Sequence, residues 1–210
     1  MTQTIEKRKI RADKKRDVKP TIPIQLYETV SRLSYITSVP IKDVGVIISK
    51  RGLYSTAVLE YLSSFIKRDY WANNNVLYAG HLEGETFSFE KGIQKRRITM
   101  RFSQKDHDQL ARLAYSLDIP PSSATGALLA LSVKNTDIIN SYISNHVKSE
   151  LDAVRMKQLK EIYKYITKNN PYNKDISFGT FISILLDEVK ESTFTVTEKV
   201  KSWIDERVIK

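Results

Sequence analysis

The chain contains no cysteine. That absence excludes disulfides, thiolate catalysis and Cys-ligated zinc or iron–sulfur centres. Its three histidines, His81, His107 and His146, are too scattered for a local metal cluster. Its seven glycines form neither G-x-G-x-x-G nor G-x-x-x-x-G-K, so no glycine-rich phosphate loop is expected. No apolar run approaches the ~18–20 residues of a membrane span. The N-terminus is charged where a signal peptide needs an apolar stretch. Paired histidines or clustered carboxylates at useful spacing are missing too. The expectation is a soluble, cytoplasmic, non-enzymatic protein with no catalytic residue, metal or cofactor.

What is present is an apolar core and an excess of positive charge. At 41% hydrophobic residues, 210 positions suffice for a buried core. The net charge is +10, which favours polyanion partners. Residues 1–19 carry eight basic residues against three acids. Within that block, 1–14 reads as a flexible basic arm. A second knot, KGIQKRRITMR at 91–101, has five positives and no acid. It leads straight into patterned structure.

That pattern occurs twice. Residues 15–66 align with 95–146 at a constant offset of 80, without a gap. Arg32, Leu33 and Tyr35 meet Arg112, Leu113 and Tyr115; Pro40 meets Pro120; Thr56 meets Thr136. Apolar positions agree as well: Val18 with Ile98, Ile22 with Phe102, Val30 with Leu110, Ile48 with Leu128. Each copy reads as strand, helix, helix, helix. In the second, Arg97 to Phe102 alternates polar and apolar, the period of a half-buried strand. Ser103 offers an N-cap, and the segment around Asp106, His107 and Asp108 reads as an exposed first turn. Ile119-Pro120-Pro121 stops the helix, and Ser122 or Ser123 caps the next. In the first copy Asp17, Lys19 and Thr21 point outward from the strand. Pro20 and Pro23 argue against a central ladder position there. Tyr35 and Tyr115 read as core.

The division expected is a first unit at 15–68, a linker at 69–94, a second unit at 95–147 and a helical C-terminal domain at 148–210. The linker would hold a hairpin flanking Glu83-Gly84, with Tyr70, Trp71, Tyr78, Phe87 and Phe89 as a small core. Helices are expected at about 149–168, 176–190 and 195–208.

The stretch KRRITMRFSQKDHDQLARLAYSLDIPPSSATGALLALSV resembles the ribbon–helix–helix family of DNA-binding proteins, to which the Met and Arc repressors belong. Residues 15–52 resemble it less closely. The fold class implied is mainly α: tandem ribbon–helix–helix units with short strands, plus the C-terminal helices. The resemblance implies that two strands pair antiparallel and lie in the major groove of double-stranded DNA. By the same resemblance, Arg97, Thr99, Arg101, Lys19 and Thr21 read bases. Lys95, Arg96, Ser122, Ser123, Lys42, Lys14, Lys15 and Arg16 then hold the phosphate backbone. The implied role is a transcriptional repressor, or an accessory factor in a plasmid transfer or partition complex, with residues 148–210 binding a partner or a second copy. The alternative is a helical protein–protein scaffold with an incidental basic surface. Pairing of the strands within or between chains is left open.

Overall fold

The computed structural model describes residues 15–72, 75–147, 151–172 and 176–190, the last five by backbone only. The expected arm at 1–14, Lys14 included, and the helix at 195–208 lie outside the described residues. Eight helices and six short strands are found among those described.

Strands β1 (Arg16–Val18) and β2 (Thr21–Pro23) pair with β6 (Met100–Phe102) and β5 (Lys95–Arg97) respectively. Both ladders are antiparallel and share one register: Asp17 opposes Arg101, and Thr21 opposes Arg97. They therefore form one ribbon inside a single chain. Pro20 sits between β1 and β2. It lacks an N–H, but its carbonyl accepts the Ile98 N–H at 3.0 Å, which carries the ribbon across the break. Pro23 ends β2 and stands at the N-cap of the next helix, so neither proline interrupts an essential donor. Val18, Ile22, Ile98, Met100 and Phe102 are all buried on one face.

The ribbon runs into two matching helical sets. The first comprises α1 (Ile24–Thr37), α2 (Ile41–Leu53) and α3 (Thr56–Ser63). The second, beyond a linker strand pair β3 (Tyr70–Trp71) and β4 (Leu77–Tyr78), comprises α4 (Gln104–Ser116), α5 (Pro121–Lys134) and α6 (Thr136–His146). Local geometry repeats at the sequence offset. Ser38 and Asp118 both turn the chain with φ of 56°. Ser55 caps α3 through the Val58 N–H as Asn135 caps α6 through the Ile138 N–H. The shared register also sets Lys19 opposite its own counterpart, Thr99. Helices α2 and α5 pack on each other beneath the ribbon. There Gly52 faces its counterpart Ser132: a Cβ on Gly52 would lie 1.9 Å from the Ser132 Oγ. Glycine is what lets these helices approach. The chain thus has an approximate internal two-fold, running from the centre of the ribbon to the α2–α5 crossing.

Helices α7 (Ala153–Thr167) and α8 (Phe178–Lys190) pack on α1 and α6. Their buried residues, among them Leu159, Ile162, Phe181 and Leu185, join the same continuous core as the repeated units. The end of α7 is fastened by Lys134 of α5. Its Nζ donates to the carbonyls of Tyr165 and Lys168 and lies over the Tyr165 ring. Burial, and then the nearby Lys168 charge, lower the Lys134 ammonium to about 8. Above that value the folded chain holds fewer protons than the unfolded one, so stability should rise from about pH 8 toward 10. Beyond about pH 10 the sign reverses, because burial raises the hydroxyls of Tyr70 and Tyr165 to about 12. Urea unfolding at several pH values should show this rise, and Lys134→Met should flatten it.

The linker differs from its expected form. Its strand pair is Tyr70–Trp71 with Leu77–Tyr78, while Thr86–Phe89 is not a strand. Phe87 packs edge-on against Phe65 and Phe89, so side-chain contacts hold that segment instead of a ladder. Tyr70 and Tyr78 are buried, but Trp71 is 61% exposed.

Candidate nucleic-acid interface

The outward face of the ribbon carries Asp17, Lys19 and Thr21 on one strand and Arg97, Thr99 and Arg101 on the other. All six are exposed. Alternation places them there: every neighbour of opposite parity in this stretch is committed to the core or to the ribbon's ends. Arg97 stands across from Thr21, and Lys19 across from Thr99. Asp17 is engaged. Its Oδ1 forms an ion pair with the Arg101 Nε, 3.1 Å away. Four of the five guanidinium N–H groups belong to the terminal nitrogens, not to the Nε that lies against Asp17. Asp17 therefore biases where the Arg101 guanidinium sits while lowering the positive charge of that end. Exposed pairs of this kind add little stability. Asp17→Ala should change unfolding stability by less than about 0.5 kcal/mol. It should raise duplex affinity in general while lowering discrimination between sequences, as measured by paired titrations on matched and scrambled duplexes.

Beside this face lie the residues expected at a phosphate backbone. Lys95 and Lys42 are exposed, at a strand end and a helix start. Arg96 lies with its guanidinium 4.2 Å from the Tyr27 ring centroid. Arg16 donates through Nε to Gln104 at 2.7 Å, so it anchors the ribbon end to α4. Lys15 lies near Arg101, along the wall of a cavity at that end. Ser122 and Ser123 are not caps: α5 begins at Pro121, the N-cap is Pro120, and no side chain caps it. Proline at the first helical position begins the helix two or three residues earlier than the serine rule suggests. Helix α2 likewise starts after Pro40 without a side-chain cap. Both starts thus keep N–H groups that an anion could accept from.

A cluster that sequence reasoning missed joins the start of α4 to the end of α2. Asp106, in the first turn of α4, is buried. Its carboxylate accepts from Ser103 at 2.7 Å and Tyr54 at 3.2 Å, and lies 3.1 Å from the Lys50 Nζ. Burial pushes the carboxyl upward, but the bonds from Ser103, Lys50 and Tyr54 outweigh it and hold it below the usual carboxylate range. The exposed first turn expected around it is thus wrong for Asp106, because partners from the other copy cover it. Tyr35 and Tyr115 depart in the opposite direction. They are 53% and 67% exposed, with Arg155 over the first ring and Arg68 over the second. Their spacing fits a core face, but both rings end on the surface beneath a guanidinium.

No group of three or more His, Asp or Glu residues suited to a metal ion is found among the described residues. No described helix is long and apolar enough to cross a membrane. Comparison with family models, with curated proteins and with solved structures finds no match to this chain.

Proposed function

We propose that this chain is a sequence-specific double-stranded DNA-binding protein, built from two fused ribbon–helix–helix units whose single ribbon enters the major groove. The observation that carries the reading is the ribbon's outer face. It is solvent-exposed, two strands wide, and bears Lys19, Arg97 and Arg101 against the single acid Asp17. A two-stranded ribbon fits the major groove, and arginine can bond guanine O6 and N7 together. In this reading the uncapped starts of α2 and α5, with Lys42, Ser122 and Ser123, hold phosphates through their N–H groups; the lack of a side-chain cap at either start supports it. The two copies present different outer residues, so the preferred site is asymmetric. The biological role follows as a transcriptional repressor, or as an accessory factor at a plasmid transfer or partition site.

The reading is tested by the salt dependence of duplex binding. Phosphate neutralisation makes log affinity fall linearly with log salt, with a slope of about −0.9 per phosphate contact. A shallow slope with weak binding at every salt concentration would favour a protein–protein scaffold.

A further inference from the structure

The Arg101 end of the ribbon does not lie flat on the helices. Between it, α2 and the start of α4 is a cavity of about 650 Å³. That falls within the range of small-molecule sites, which pair an apolar lining with a few polar groups. Val46, Ile47 and Tyr54 form the apolar part of the wall. Lys15, Lys50, Arg51 and Arg101 supply four cationic groups. Asp106 is the one carboxylate among the lining residues, and Lys50 already lies 3.1 Å from it. Arg51 also donates to the Ile138 carbonyl at 3.3 Å, so it is fixed in place. Arg101 and Lys15 are exposed parts of the wall on the ribbon side, and Arg101 is paired with Asp17, which is not part of the wall.

We propose that this cavity binds a small organic anion with an apolar body, and that its occupant and duplex DNA exclude each other. The apolar wall selects the body, and the cationic excess selects a carboxylate, sulfonate or phosphate on it. The exclusion rests on the DNA-binding reading above. Arg101 and Lys15 serve both sites: an anion that draws them inward removes them from the groove, and a duplex that holds them removes the ribbon side of the cavity wall. Such coupling is reciprocal, so each ligand weakens the other by the same factor.

The probe is 8-anilinonaphthalene-1-sulfonate, titrated by fluorescence against the full chain. The expected result is saturation at one site. Affinity should be about tenfold or more above that of the neutral N-phenyl-1-naphthylamine, since the cationic wall acts on the anion alone. Ile47→Trp, which fills the cavity, should abolish binding while leaving duplex affinity and thermal melting unchanged. Val46→Trp serves the same purpose if Ile47→Trp does not fold. Because the two ligands exclude each other, apparent dye affinity should fall by a factor of one plus the duplex concentration over its Kd, about elevenfold at ten times that Kd, with no plateau. Absence of saturation, or equal dye affinity in a folded cavity-filled variant, overturns the site. Independent binding of dye and duplex overturns the exclusion. Dye binding that needs Ile47, in a chain with no duplex affinity, supports the cavity and removes the DNA-binding reading instead.

Discussion

Replacing Arg97 and Arg101 together by alanine is expected to abolish sequence-specific duplex binding while leaving the protein folded. Both side chains are exposed on the outer face of the ribbon, and among the described residues the one ion pair to either is the solvent-exposed one between Arg101 and Asp17. Their removal therefore opens no cavity and strands no buried partner. Each bidentate arginine–guanine contact is worth about 1–3 kcal/mol of discrimination. Losing two should cost roughly thirtyfold to twenty-thousandfold in preference for the selected site. Weak, salt-sensitive binding to random duplex should persist through Lys15, Lys42 and Lys95. Lysine at the same positions preserves charge but not the planar fork, so the double lysine variant should bind without discriminating. The check is competition between selected and scrambled duplexes at fixed salt, with melting followed by circular dichroism. An alanine pair that still prefers the selected site would remove the major-groove reading.

The second large effect concerns stability. Asp106→Ala should destabilise the chain by about 3 kcal/mol, since hydrogen bonds to a charged group contribute about 1.5–3 kcal/mol each and are not additive. The variant loses acceptors for Ser103, Tyr54 and Lys50 at once. Lys50 is half exposed and can regain water, which keeps the loss below that of a fully buried pair. The carboxyl is held lower in the folded chain than its free value of 3.8. Its contribution is therefore complete well above pH 3.8 and disappears as pH falls through the folded value. Urea midpoints at neutral pH should differ clearly between native and variant chains, and the difference should narrow below pH 3.8. Equal midpoints at neutral pH would show that the cluster does not fasten α4 to α2.

How far the sequence carries this structure depends on the range of each interaction. Alternation from Arg97 to Phe102 and the offset of 80 are local signals, and the strand–helix–helix–helix order follows from them. Which strand meets which is a long-range fact. The pattern left open pairing within or between chains, and the ladder of Asp17 with Arg101 closes it within one. Asp106 was legible as a first-turn acid but not as a buried one. Its partners Lys50 and Tyr54 lie more than fifty positions upstream, and no spacing announces them. Tyr35 and Tyr115 failed for a related reason. A tyrosine at an apolar position packs by its ring edge or lies flat under a cation, and only the neighbouring Arg155 and Arg68 decide between these. At α5 the proline pair outweighed the serines as the starting signal. The backbone-contact residues divide likewise. Lys42 and Lys95 stand where their exposure suggests, whereas Arg16 is committed to Gln104.

The single-chain ribbon has a consequence for behaviour at low abundance. When two molecules must each contribute a strand, the paired form disappears on dilution, and its population follows the square of the concentration. Here the strands are tethered by the intervening helices, so each meets the other at a local concentration that dilution does not alter. Pairing is complete in an isolated molecule. It also cannot be diverted by a related chain offering a competing strand, because the partner arrives with the same translation product.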